Sequence, residues 1–271
     1  MTLIIHPDMP QGSDEWLDVR RGMVTASAVG QLLSIGRLGA MHYPCPACLT
    51  PAQEPCLSKS TGRAIKTVHS ERIDYAREQD SPPIPEVAHN ETSRALTFLL
   101  AAERITGWTD PTFLSDDMWR GIEDEPIARE KYREHYAPVT ECGFMVEDRF
   151  GFPIGYSPDG LVGDDGLIEI KSRRSKVQLQ TILADAVPIE NMAQLQMGLL
   201  VSGRAWIDYV SFAGGMPLYV KRVEPQQMWF DAIVAAVEAF ENTAAEIVKT
   251  YKQSTAGMPM TERRIDQEIS I

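Results

Sequence analysis

Ser157-Pro158-Asp159-Gly160-Leu161 is followed, eight residues after Leu161, by Glu169-Ile170-Lys171. Between them, Gly163-Asp164-Asp165-Gly166 separates Leu161-Val162 from Leu167–Ile170, which predicts a tight β-hairpin. Side chains alternate along a strand, so Glu169 and Lys171 share one face while Ile170 points to the core. Asp159 ends a strand of the hairpin pair and can lie beside Glu169. Two carboxylates then converge with one lysine. Hard oxygen ligands of this kind hold Mg²⁺ or Mn²⁺, and a neighbouring lysine can position or activate a water. An isolated E-x-K is most often a solvent-facing pair, and Asp-Gly most often a turn. The joined elements turn the reading toward phosphodiester hydrolysis.

Outward from this segment, helical periodicity spans Asn90–Ile105 with Gly107 as a stop, then about 116–136, where Ile122, Ile127 and Tyr132 or Tyr136 are candidate inward positions. Strands are predicted at Val139–Val146, Phe152–Tyr156, Ala205–Phe212 and Leu218–Val223. Helices are predicted at Pro188–Val201 and from Gln226 to about Lys249. At the other end, Ser13 to Gly36 reads as two short helices, the second carrying Val29, Leu32 and Leu33. The order is an α+β plan with a mixed central β-sheet flanked by helices.

The chain has 271 residues, 44% hydrophobic and 24% charged, with a net charge of −12. This composition suits a globular domain and excludes wholesale disorder. The acidic balance argues against a general nucleic-acid coat protein but not against a nuclease with a local basic groove. No run approaches the roughly 18 apolar residues of a membrane span. The N-terminus lacks the basic, apolar pattern of a secretory signal, so a cytoplasmic protein is expected.

The D…E-x-K pattern resembles the PD-(D/E)-x-K nuclease superfamily, with its restriction-endonuclease-like core. The fuller pattern resembles the phage lambda exonuclease branch, the viral-type recombination exonucleases. Gln11-Gly12-Ser13-Asp14-Glu15-Trp16, Arg20-Arg21-Gly22 and Thr25-Ala26-Ser27 are similar to that family's opening Q-G-S-x-x-W…R-x-G…T-A-S elements. Gly121–Glu125 matches its G-x-x-x-E element, and Met192-Ala193-Gln194-Leu195-Gln196 its A-Q-x-Q helix.

The resemblance implies Asp159, Glu169 and the Ile170 carbonyl as metal ligands, and Lys171 as the residue that positions or activates water. Glu125 completes the metal or water shell, and Gln194 braces the site; a register slip of two would substitute Gln196. By the same resemblance, Arg20 and Ser27 would bind a DNA 5′-phosphate. An arginine and a hydroxyl at a helix N-terminus also suit phosphate on physical grounds. The implied activity is Mg²⁺-dependent 5′→3′ digestion of one strand of linear duplex DNA. That leaves 3′ overhangs for a single-strand annealing partner. The implied assembly is a homotrimer. The basic run Lys171–Lys176 reads as a loop that contacts DNA phosphates or is merely solvated, and Trp119 is one aromatic that could wedge a duplex end.

Residues 37–88 depart from that family pattern. They read as an insertion between residues 1–36 and the nuclease core 89–253: a metal-stapled module, then a proline-rich linker ending in Ser81-Pro82-Pro83-Ile84-Pro85. Cys45-Pro46-Ala47-Cys48, Cys56 and His69 have the inventory of a Cys₃His zinc site, with His42 in reserve. The wider pattern, ending His69-Ser70-Glu71-Arg72, resembles small zinc modules of actinobacterial and actinophage proteins. Lys59, Arg63, Lys66 and Arg72 make it basic, so it either grips DNA or is a structural zinc knuckle. Cys142 reads as a buried thiol. RecB-like nucleases that carry an iron–sulfur cluster place most of its cysteines after the catalytic core, and by that resemblance the lack of any cysteine there counts against a cluster. Residues 254–271 read as a flexible tail. The rivals to an exonuclease are an endonuclease on the same core and a non-catalytic DNA-end-binding module.

Overall fold

In the computed structural model, which describes residues 3–79, 81–111 and 113–263, the chain opens with β1 (Ile4–His6), α1 (Asp14–Arg20), β2 (Val24–Thr25), α2 (Ala26–Val29) and β3 (Leu33–Gly36). After α3 (Ser70–Glu78) come β4 (Ile84–Val87), α4 (Glu91–Thr106) and α5 (Asp116–His135). Four strands follow: β5 (Phe144–Glu147), β6 (Ile154–Tyr156), β7 (Gly160–Val162) and β8 (Gly166–Ser172). The chain closes with α6 (Ser175–Ala184), α7 (Ile189–Ser202), β9 (Trp206–Phe212), β10 (Tyr219–Val223) and α8 (Gln227–Ser254).

Two four-stranded sheets carry the fold, in the orders β1-β5-β6-β2 and β10-β9-β8-β7. Both are mixed. β2 runs parallel to β6, and β8 parallel to β9 with Glu169 opposite Tyr209 and Lys171 opposite Ser211. The predicted hairpin is β7–β8, with Val162 opposite Gly166. Gly166 has to be glycine, because an added Cβ would meet the Trp206 indole at 2.1 Å. The chain passes from the first sheet to the second between Tyr156 and Gly160. Asp159 sits at that crossing.

Helix α7 buries most of its length, including Leu195, Met197 and Leu199, against Ile233, Val237 and Phe240 of α8 and against Ile154 and Ile207 of the sheets. α4 begins on a capping box formed by Asn90 and Ser93 and ends on left-handed Gly107, φ 62°. No described helix is long and apolar enough to cross a membrane.

Several expectations give way to longer-range packing. The second N-terminal helix stops at Val29, and Leu33 begins a strand. The reason is β4, which pairs antiparallel with β3, Leu33 opposite Val87 and Gly36 opposite Ile84. The proline-rich stretch therefore ends in a strand, and the β3–β4 ribbon brackets residues 37–83. Pro85 is tolerated because each strand of a two-stranded ribbon has a free edge. In α5, Ile122 and Ile127 are about half exposed, while Ala128 and Tyr132 are buried against Ile168, Ile170 and Val210. Of the basic run, only Arg173 and Arg174 lie between regular elements. The run ends β8 and enters α6, which sequence reading omitted along with β1. The described part of the C-terminal tail is tied back, with Arg263 3.5 Å from Asp110 and over the Trp108 ring. Residues 264–271 of that expected flexible tail lie outside the described residues.

Candidate active site

At the crossing between the sheets, Asp159 Oδ2 accepts from the Ile170 N–H at 2.6 Å, which fixes the carboxylate against β8. Lys171 Nζ donates to Glu169 Oε1 at 2.8 Å and to Gln194 Oε1 at 2.9 Å. Gln194 returns a hydrogen bond from Nε2 to the same Glu169 oxygen, so strand and helix α7 close a small ring. The Tyr156 hydroxyl donates to the other Glu169 oxygen at 3.0 Å. Glu125 comes from α5, ion-paired with Arg129.

The charges in this cluster oppose one another. Burial, then Glu169 and Glu125, hold the Asp159 carboxyl well above the usual carboxylate range. Burial also raises Glu125, and Glu169 adds to it, while Arg129 pulls the other way. Burial works against the Lys171 ammonium, but Glu169 and Asp159 outweigh it and hold its pKa above the ordinary lysine value. Three converging carboxylates face one ammonium and one guanidinium. An all-oxygen donor set with unbalanced negative charge fits a hard divalent cation.

The opening motif lines the same cleft of about 330 Å³ as Glu125, Asp159, Glu169, Ile170, Lys171 and Gln194. The Trp16 indole donates to Ser157 Oγ at 3.1 Å, next to the Pro158-Asp159 step. The Arg20 guanidinium stacks over the Trp16 ring at 3.9 Å. Arg20 Nη2 reaches Thr25 Oγ1 at 3.4 Å, and Thr25 Oγ1 lies 3.2 Å from Ser27 Oγ. A cation and two hydroxyls thus face the cleft beside the carboxylate cluster.

All the candidate catalytic and phosphate-binding side chains meet in one place. Gln196 does not: it is fully buried, bonded to the Glu224 carbonyl and the Gln226 N–H. Trp119 is exposed on α5 and outside the cleft lining. Sequence reasoning passed over Tyr156 and Arg129. Tyr156 directly precedes the S-P-D-G segment, and Arg129 lies one helical turn beyond Glu125; those positions were the available signals.

Within the insertion, one ligand atom each from Cys45, Cys48, Cys56 and His69 lies within 4.8 Å of all the others. Cys45 Sγ is 3.4 Å from His69 Nδ1. Burial works against a Cys48 thiolate, but hydrogen bonds from Thr50 and the Leu57 N–H bring its pKa down to about 5. Soft sulfur with one imidazole at this spacing fits tetrahedral zinc. His42 is bonded to Gly39 outside this group. Cys142 is buried elsewhere.

Arg72 is not part of a basic DNA-facing surface. It is completely buried, donating to the carbonyls of Ala40, Met41, Tyr43, Pro51 and Glu54 at 2.8–3.4 Å and to Cys56 Sγ at 3.3 Å. Lys59, though exposed, is paired with Glu71 at 2.9 Å, and Arg63 and Lys66 are exposed beside it.

Comparison with known proteins agrees with both halves of this description. Residues 86–205 match the family model of the YqaJ-like viral recombinase domain. Residues 11–90 match one described as "Putative DNA-binding phage zinc finger domain". Among solved structures the chain is similar to an alkaline exonuclease, LHK-Exo, from Laribacter hongkongensis. The TM-score is 0.62 at 26% identity, covering 91% of this chain and 100% of that one. A complex of LHK-Exo with dAMP gives the same figures. A phage-related exonuclease from Haemophilus somnus 129PT matches with a TM-score of 0.49 at 12% identity, over 84% of this chain and 96% of that one. No curated protein matches.

Proposed function

With a YqaJ-like viral recombinase domain over residues 86–205 as the premise, we propose that this deoxyribonuclease is a Mg²⁺-dependent 5′→3′ exonuclease. It acts on linear duplex DNA from 5′-phosphorylated ends and leaves 3′ single strands for an annealing partner in phage-type recombination. The observation that carries the reading is the closed ring of Glu169, Lys171 and Gln194 beside Asp159, in one cleft with Arg20, Thr25 and Ser27.

Asp159, Glu169 and the Ile170 carbonyl hold the metal, with Glu125 completing its shell. A bound Mg²⁺ or Mn²⁺ supplies Lewis-acid stabilisation of the charge that develops on the attacking and leaving oxygens. Lys171 orients the attacking water. Gln194 holds the lysine's ammonium in place, and Tyr156 fixes the far oxygen of Glu169. Arg20, steadied by Trp16, takes the terminal phosphate together with Ser27. That places the first phosphodiester at the carboxylates and gives the enzyme its polarity.

Cys45, Cys48, Cys56 and His69 hold a structural Zn²⁺ that lets residues 37–88 fold as a module beside the nuclease core. The working form is a cytoplasmic homo-oligomer, a trimer by resemblance to the lambda exonuclease branch.

The test is digestion of linear duplexes with 5′-phosphate or 5′-hydroxyl ends, and of a closed circle, in Mg²⁺ or EDTA, by wild type and Lys171→Ala. Mg²⁺-dependent loss of the phosphorylated linear duplex alone, abolished by Lys171→Ala, supports the reading. Equal digestion of both ends removes the Arg20–Ser27 pocket. Cutting of the circle makes the protein an endonuclease. No digestion by folded wild type leaves a DNA-end-binding module.

A further inference from the structure

Helix α7 braces the active strand through two successive rungs. In the first, Gln194 Oε1 accepts from Lys171 Nζ. In the second, Asn191 Oδ1 accepts from Arg173 Nη2 at 2.6 Å, and the Tyr209 hydroxyl lies 3.2 Å from the same nitrogen. Asn191 precedes Gln194 by three residues, so both lie on one face of the helix. The Arg173 N–H continues the strand ladder, donating to the Phe212 carbonyl at 2.7 Å. Arg173 therefore leaves the sheet on the same face as Lys171, roughly 6.6 Å farther along.

The two cations differ in what neutralises them. Lys171 lies against Glu169. Arg173 has only neutral partners among the described residues, Asn191 and Tyr209, and its buried Nε has none. The arginines around it are already satisfied: one oxygen of Asp117 accepts from Arg120 at 2.6 Å and from Arg174 at 2.8 Å. In a chain of net charge −12, a guanidinium partly withdrawn from water and facing no carboxylate is costly unless an anion meets it. Arg173 follows the cleft-lining Lys171 and Ser172 and lies two strand residues beyond the lysine, on the same face.

We propose that Arg173 is a second phosphate subsite, binding the phosphodiester next to the scissile one on the strand being cleaved. Asn191 and Tyr209 aim the guanidinium by one nitrogen and leave the rest of its charge for the strand. The proposal rests on the exonuclease reading and deepens it, by making Arg173 a determinant of the register in which the strand lies across Lys171.

The experiment is equilibrium binding of a fluorescein-labelled, 5′-phosphorylated duplex with a 3′ overhang, titrated in Ca²⁺ over a range of salt. Arg173→Gln is expected to weaken binding and to reduce the slope of log K against log salt by about 0.7–0.9, one phosphate contact. Arg173→Lys is expected to keep the slope. In Mg²⁺, Arg173→Gln raises KM more than it lowers kcat. An unchanged slope and KM in folded Arg173→Gln overturns the subsite. Should that variant not fold, Asn191→Ala decides: a raised KM supports the subsite, and an unchanged KM overturns it. Lys171→Ala separates the two readings. If it still cleaves, the assignment of the chemistry to Lys171 and its cleft fails; if it is inactive while Arg173→Gln binds like wild type, only the subsite fails.

Discussion

Arg129 Nε donates to the backbone carbonyl of Asp159 at 2.8 Å, and the same guanidinium is ion-paired with Glu125. One arginine ties helix α5 to the segment where the chain crosses between sheets. Two of the three converging carboxylates are held at once, one by its side chain and one through its backbone. Arg129→Ala is expected to lower kcat/KM by about 10–100-fold, the usual cost of losing a group that orients metal ligands. The Mg²⁺ concentration for half-maximal rate should rise as well. Arg129→Lys keeps a charge for Glu125 but loses the planar fork, so it should fall between wild type and alanine. Initial rates across a Mg²⁺ titration check this, and an alanine variant with unchanged Mg²⁺ dependence refutes the coupling.

Asp159 is held above its ordinary pKa by burial and by Glu169 and Glu125. The sign of the linkage follows. A carboxyl raised in the fold binds its proton more tightly folded than unfolded, so stability falls as pH rises from the unfolded value near 3.9 through the folded one. In EDTA, Asp159→Asn should therefore melt at the same temperature as wild type at low pH and a few degrees higher at neutral pH. The scale is about 2–4 °C for each kcal/mol in a chain of this size. The variant should also lose any gain in Tm on adding Mg²⁺. A neutral-pH Tm below that of wild type in EDTA would show that the carboxylate is stabilising, and the electrostatic account of the site would fall.

The β7–β8 hairpin was legible because its rules are local. Turn residues from Gly163 to Gly166 and strict alternation through Glu169-Ile170-Lys171 dictate both the pairing and the shared face. α4 was legible for the same reason, through Asn90 at one end and Gly107 at the other. What failed was decided at a distance. β4 contains Pro85 and reads as linker until Leu33, far upstream, supplies its partner. Ile122 and Ile127 look like an inward stripe, but the inner side of α5 is given to Gly121 and Glu125 at the cleft and to Ala128 and Tyr132 in the core. Arg72 and Arg129 read as ordinary surface charge, because nothing local predicts a ring of carbonyls around one or a backbone oxygen beneath the other.

Arg72 makes a second mechanical prediction. Its guanidinium satisfies five carbonyls and a cysteine sulfur inside the Cys₃His module. A lysine has three donors on one point and cannot reproduce that ring. The carbonyls of Ala40, Met41 and Pro51 also accept from backbone N–H groups, so among the described residues those of Tyr43 and Glu54 are the ones left unmet, at about 1–3 kcal/mol each. Arg72→Lys and prolonged treatment with a strong chelator should give the same result. Residues 37–83 become sensitive to protease while the nuclease core, closed below them by the β3–β4 ribbon, stays resistant. Zinc content should fall from one equivalent per chain toward zero. A lysine variant that keeps one equivalent and the wild-type digestion pattern would show that the metal alone holds the module.

Trp16 links the two halves of the cleft. Its indole N–H holds Ser157 beside Asp159, and its ring carries Arg20. Separate substitutions divide these tasks. Trp16→Phe keeps an aromatic face for the guanidinium and removes the hydrogen bond, so preference for a 5′-phosphate should survive while kcat declines. Trp16→Leu removes both, and a stacked cation–π contact of this kind is worth about 0.5–2 kcal/mol. Discrimination between 5′-phosphate and 5′-hydroxyl duplexes should then narrow by about 2–30-fold, since each 1.4 kcal/mol is tenfold. The measurement is the ratio of kcat/KM for the two ends in each variant. If leucine and phenylalanine narrow it equally, the indole N–H rather than the stack positions Arg20, and end recognition depends on Ser157 more than on the ring.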